Sequence, residues 1–140
     1  MASLAQGLRP TSRSELGWLL MRLVLAIVIG AHGWARLTHG AVPPFGTWLS
    51  GQGFPLGLAI AWGVTLLEIA GSVLLALRRF VLPLTLAYAF IYSMGILLIH
   101  AKAGWFVVGL GRNGMEFSVL LITALLCVGL QDWKPHRRSS

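Results

Sequence analysis

Val64-Thr65-Leu66-Leu67-Glu68-Ile69-Ala70-Gly71 sets one carboxylate in the middle of a long apolar run. If that run crosses a bilayer, Glu68 lies near the midplane, where an ionisable side chain is costly and is kept for function, for pairing, or for both. Composition supports the crossing. The 140 residues are 56% hydrophobic and 11% charged, with a mean hydropathy of +0.78, whereas soluble domains carry about 25% charged residues. The expectation is an all-α integral membrane protein. Each crossing takes roughly 20 apolar residues, so the length suits a single membrane domain, residues 1–140, built as a four-transmembrane-helix bundle.

Outward from Glu68, the breakers divide the chain into helices at about 13–37, 55–77, 80–101 and 114–130. Ser12-Arg13-Ser14-Glu15 has the capping-box pattern that opens the first, which is too long for a signal h-region and contains Arg22. It is read as an uncleaved spanning helix. Between the first and second spans, His39 to Pro55 holds Gly40, Pro43, Pro44, Gly46, Gly51 and Gly53 among Phe45, Trp48 and Phe54. That mixture suits a short interfacial helix, a re-entrant loop, or an ordinary connection with buried aromatics. Arg78-Arg79 is a tight basic turn, and Lys102 to Gly114 is a second Gly-rich, aromatic loop. Asn113 and Glu116 are expected to cap the last helix, and 132–140 reads as a frayed basic tail.

Basic residues orient the spans. Arg9, Arg13, Arg78, Arg79, Lys134, Arg137 and Arg138 collect on one side, against Arg36, Lys102 and Arg112 on the other. Both termini should therefore be cytoplasmic, in a multi-pass inner (plasma) membrane protein whose aromatic Gly/Pro-rich loops lie outside. The net charge of +7 is distributed at the span ends rather than over a soluble face. Its expected partners are anionic lipid head groups at the cytoplasmic face, with no nucleic acid.

Helical spacing sorts the polar residues into stripes. Arg22, Ala26, Ile29, Gly30 and Gly33 share one; Thr65, Glu68 and Ser72 the next; then Ala89, Ser93, Ile96 and His100; then Glu116, Thr123 and Cys127. Lipid gives polar atoms no partner, so the stripes should turn inward, with the single cysteine as a small core residue. Taking each span about its own centre, Arg22 is the expected ion-pair partner of Glu68. His32, His100 and Glu116 sit nearer the outer ends with Arg36, Lys102 and Arg112, forming an outer polar cluster apart from Glu68. The bland readings are a brace for Arg22 and Glu68, a cap for Glu116, and intrahelical bonding for His32 and His100.

The outer cluster could take a quinone head group, with Trp48, Phe54, Trp105 and Phe106 as walls. His32 and His100 as axial haem ligands are a weak pattern, and the sequence argues against haem. One cysteine excludes an internal disulfide and a multi-cysteine metal site, and no metal is expected. No P-loop, CxxC, HExxH or Ser-His-Asp order is present, which argues against nucleotide and hydrolase chemistry.

In its order of motifs the chain resembles the DoxX family of small four-helix membrane proteins. The resemblance rests on Arg22; Gly30-x-x-Gly33-x-x-Arg36-Leu37; Gly53-Phe54-Pro55; Leu67-Glu68-Ile69-Ala70-Gly71 with Leu74 and Leu75; and His100, Gly104-Trp105-Phe106 and Glu116. Arg36 stands where the family more often has lysine, and the Leu130-Gln131-Asp132-Trp133 ending departs from its usual small-residue, Leu-Asp form. The resemblance implies redox company, as a subunit of a quinone-linked oxidoreductase or an anchor for membrane or soluble redox proteins. By position it makes Arg22, Arg36, Glu68, His100 and Glu116 the candidate polar site, with no assigned catalytic residue. The alternatives are a non-catalytic accessory subunit and, third, a channel built from several copies of the chain.

Overall fold

The computed structural model describes residues 12–133. Arg9, Lys134, His136, Arg137, Arg138 and most of the expected frayed tail lie outside them. The described residues form five helices and no strand: α1 (Arg13–Thr38), α2 (Val42–Gly51), α3 (Gly57–Ala76), α4 (Val81–Ala103) and α5 (Glu116–Asp132). They fall into two compact units, Met1–Arg79 and Phe80–Ser140. Helices α1, α3 and α4 are each long and apolar enough to cross a membrane. Their exposed faces carry Leu20, Val24, Ile27, Leu58, Leu66, Val73, Leu86 and Phe90. A helix in water would show charge there, so the medium suited to these faces is hydrocarbon.

In the first unit α1 opens where expected, the Ser12 side chain accepting the Glu15 N–H at 3.2 Å. It runs for 26 residues and ends as Gly40 takes a left-handed φ of +63°. The Pro-rich stretch that follows is helical, because its prolines fall in the first turn of α2, where no backbone donor is needed. Glycine brings α2 onto α3: a Cβ on Gly46 would lie 2.7 Å from the Leu58 Cα. Val42, Leu49 and Ala61 form the core of that crossing, with Phe45, Trp48, Phe54 and Ile60 packed around it. Helix α3 begins at Gly57 rather than Pro55, since Leu56 is held at φ +60° before it. It ends in the Arg78-Arg79 turn, with the Arg79 N–H on the Leu74 carbonyl at 2.8 Å.

The buried stripes of this unit match the helical spacing: Arg22, Leu25, Ala26, Ile29 and Gly33 on α1, and Thr65, Glu68, Gly71, Ser72 and Leu75 on α3. The two stripes meet antiparallel. A Cβ on Gly30 would sit 2.7 Å from the Ser72 Oγ, and one on Gly33 2.8 Å from the Glu68 Cβ. Those contacts fix the register on which the candidate site depends.

In the second unit α4 carries one wide turn over Ile96–His100, closed by the Ala101 N–H on the Ile96 carbonyl five residues back. Its buried face is Val81, Leu84, Thr85, Tyr88 and Ala89, facing Ser118, Leu121, Leu125, Val128 and Gly129 of α5. This corrects the expected stripes. Ser93, Ile96 and His100 are half-buried, and Thr123 and Cys127 are exposed. Thr123 returns its hydroxyl to the Val119 carbonyl at 2.8 Å, so it can face lipid without an unmet donor. Gly129 instead marks the inward face, because a Cβ there would lie 2.5 Å from the Thr85 Oγ1. Cys127 lies on the opposite side from this contact and is not a core residue.

Helix α5 starts at Glu116, with Met115 as its N-cap and no side-chain cap. The expected Asn113–Glu116 capping box does not form. Asn113 sits at φ +59°, and the N–H groups of Gly114, Met115 and Glu116 bond to the carbonyls of Phe106, Gly104 and Trp105. With its first donors taken by the loop, the helix needs no box.

Candidate functional site

Three elements of the first unit supply a charged cluster. Glu68 of α3 is 2% exposed, and its Oε2 accepts from Arg36 Nη1 of α1 at 2.6 Å. The same nitrogen donates to Thr65 Oγ1 at 3.2 Å. Thr65 in turn donates its own hydroxyl to the Ala61 carbonyl at 2.7 Å. The guanidinium lies over the Phe45 ring of α2, 4.7 Å from its centre. Phe45 in turn stacks on Trp48 at 6.1 Å and 16°.

Each contact offsets a cost of placing charge in an apolar span. A lone buried carboxylate loses its hydration, and only a close, well-oriented countercharge restores the balance. The Phe45 ring shields the other face of the guanidinium while supplying cation–π attraction. Arg36 is 19% exposed, so one end of the cluster reaches the surface of the unit while Glu68 does not.

The ion pair found corrects the expected one. Glu68 takes Arg36, not Arg22. The contacts of Gly30 with Ser72 and Gly33 with Glu68 set Gly33 level with Glu68, and Arg22 lies eleven residues earlier in the chain. At 1.5 Å of rise per residue that is about 16 Å along the helix axis. Arg36, one turn beyond Gly33, is within reach. Arg36, read from the sequence apart from Glu68, thus belongs with it. Arg22 is itself buried, on the same stripe but at another depth.

His100 and Glu116 act in the second unit as loop ties. His100 Nδ1 bonds the Asn113 carbonyl at 2.8 Å; it does not close its own helix. Glu116 Oε1 accepts the Val107 N–H at 2.8 Å. Trp105 and Phe106 lie in the loop so tied and are exposed. An open depression beside them is lined by Val108, Gly109, Leu110, Gly111 and Arg112. His32 follows the bland reading, its Nδ1 on the Val28 carbonyl at 2.8 Å. Among the described residues no three His, Cys, Asp or Glu side chains gather as a metal-binding group.

The candidate residues are therefore divided. Arg36 and Glu68 join in the first unit, where Trp48 and Phe54 pack on one core; His100, Glu116, Trp105 and Phe106 surround one loop in the second. Sequence reasoning missed Phe45 as the guanidinium's platform. Its only signal was an aromatic residue in a segment read as a short interfacial helix, a re-entrant loop or an ordinary connection.

The DoxX family model matches residues 17–101. The chain belongs to the DoxX family. The match takes in the whole Arg36–Glu68–Thr65–Phe45 cluster and the last spanning turn at His100, and stops short of the loop and Glu116. The DoxX assignment thus covers α1 to α4 of this multi-pass membrane protein. No curated protein and no solved structure matches the chain.

Proposed function

We propose that this DoxX-family protein is an integral subunit of a quinone-linked membrane redox complex, and that its polar site is the Arg36–Glu68 pair with Thr65, Phe45 and Trp48. The observation that carries the reading is a carboxylate 2% exposed in an apolar span, held by a guanidinium that rests on a stacked aromatic pair. A quinone head group needs a hydrogen-bond donor for its carbonyl and a flat apolar wall for its ring. Arg36, partly exposed, offers the first; Phe45 and Trp48 offer the second. Glu68 orients the guanidinium through their direct hydrogen bond, and Thr65 accepts from the same nitrogen. Redox itself belongs to the quinone and to partner proteins, either membrane-bound or soluble.

The anchoring reading has its own support, since the same pair ties α1 to α3 and, through Phe45, to α2. In that reading the cluster braces a non-catalytic accessory subunit. Purification in mild detergent, followed by extraction and assay of bound quinone, separates the two. Under the redox reading quinone co-purifies with the protein and falls severalfold in a Trp48→Ala variant that still folds. No quinone in the parent protein, with complex activity unaffected by Trp48→Ala, would leave the brace.

The membrane arrangement is part of the proposal. Helix α5 has 17 residues, the lower end of the roughly 17–25 that span a bilayer, so it crosses as a fourth, nearly upright helix. Both termini and the Arg78-Arg79 turn then face the cytoplasm of the inner membrane. There the basic residues meet anionic head groups.

A further inference from the structure

We infer that residues 104–115 form a preformed finger that inserts its tip into the interfacial layer of the protein's own bilayer, anchored by anionic phospholipid head groups. This goes beyond the redox reading and does not depend on it. The base of the finger is zipped by its own backbone. Gly104, Trp105 and Phe106 carbonyls accept from Met115, Glu116 and Gly114 N–H groups at 3.0, 3.0 and 3.1 Å. Two side chains lock that base, Glu116 onto the Val107 N–H and His100 onto the Asn113 carbonyl, each at 2.8 Å.

The backbone ladder ends there, and past it the exposed side chains of Val108 and Leu110 are apolar. Val108 is 76% and Leu110 87% exposed, with Trp105 at 49% and Phe106 at 41% below them. An aliphatic tip on a hydrogen-bonded stem exposes apolar surface that water penalises, and none of the described residues covers it.

Position and charge commit the tip to lipid. The finger leaves α4 immediately after Ala103, the end of a candidate span, so chain continuity holds its base at the level of the head groups. Lys102 and Arg112, both exposed, flank the stem and match the charge of phosphates there. Trp105 has the amphipathic ring that favours this layer. Depth is limited by the tip's own peptide groups, which hydrocarbon would leave without partners. The apolar side chains therefore dip just beneath the phosphates, while Lys102 and Arg112 stay among them.

The test uses the full chain with Cys127→Ser and a nitroxide on Leu110→Cys, reconstituted into vesicles of mixed phosphatidylcholine and phosphatidylglycerol. Collision with oxygen and with a water-soluble nickel chelate reads depth. Oxygen access is expected to exceed chelate access severalfold. The excess should shrink in pure phosphatidylcholine vesicles, and in the Lys102→Gln/Arg112→Gln pair. A label equally open to the chelate in anionic vesicles and in detergent would overturn the proposal. So would a label closed to both reagents, which would mean that protein, not lipid, covers the tip. A label on Gln52→Cys, exposed in the turn after α2, reports reconstitution independently of the finger.

Discussion

At Glu68 and Arg36 the two halves of one ion pair differ in their access to water, and this makes their substitutions unequal. Glu68 is 2% exposed and Arg36 19%. Arg36→Met strands a carboxylate that cannot reach solvent, and should cost about 3–5 kcal/mol. Glu68→Gln leaves a guanidinium on a long stem that can turn toward the surface, and should cost less. Thermal unfolding in detergent should rank Arg36→Met as the more damaging. Arg36→Met combined with Glu68→Met should recover most of the loss, since an apolar pair needs no countercharge. If stability returns and complex activity does not, the pair is functional as well as structural. Thr65→Val should cost about 1 kcal/mol for the hydrogen bonds that it forfeits.

Between elements, glycine sets how closely the helices approach, and the consequences are again unequal. A Cβ at Gly46 would meet the Leu58 backbone at 2.7 Å, whereas at Gly63 nothing lies within 4 Å. Gly46→Ala should therefore destabilise by about 1–3 kcal/mol through overpacking. Gly63→Ala, in the interior of α3, should be neutral or stabilising by up to about 1 kcal/mol, because alanine loses less backbone entropy in a helix. Parallel melting curves check both. In the second unit Glu116→Ala removes the charged acceptor of the Val107 N–H. It should speed hydrogen exchange at Val107 roughly tenfold or more, corresponding to about 1.5–3 kcal/mol for a charge-assisted bond. Exchange in the middle of α4 should be unchanged.

For the whole molecule, the basic residues at the span ends make a topological prediction. With Cys127→Ser as background, Gln52→Cys should react with an impermeant maleimide from outside the cell, and Arg79→Ala/Phe80→Cys only after the membrane is opened. Reaction of both from the same side would remove the four-crossing arrangement and with it the cytoplasmic assignment of the Arg78-Arg79 turn. Helix α3 is the element under test here, since Gln52 precedes it and Phe80 follows it.

Apolar length and helical period were legible without coordinates, because they depend only on residues near each other in the chain. They located α1, α3, α4 and α5 to within a few residues, put Glu68 on a buried stripe with Thr65 and Ser72, and put Gly30 and Gly33 on the face that packs. The DoxX resemblance had the same local basis. Which arginine meets Glu68 was not legible. Pairing spans by their centres selects Arg22, but the small residues lie in the second half of α1. Close packing at Gly30 and Gly33 draws that half against the middle of α3, bringing Arg36 to the carboxylate. The inward face of α5 and the platform of Phe45 were hidden for the same reason. Each is decided by where two backbones can touch, a property of pairs of segments that no single segment carries.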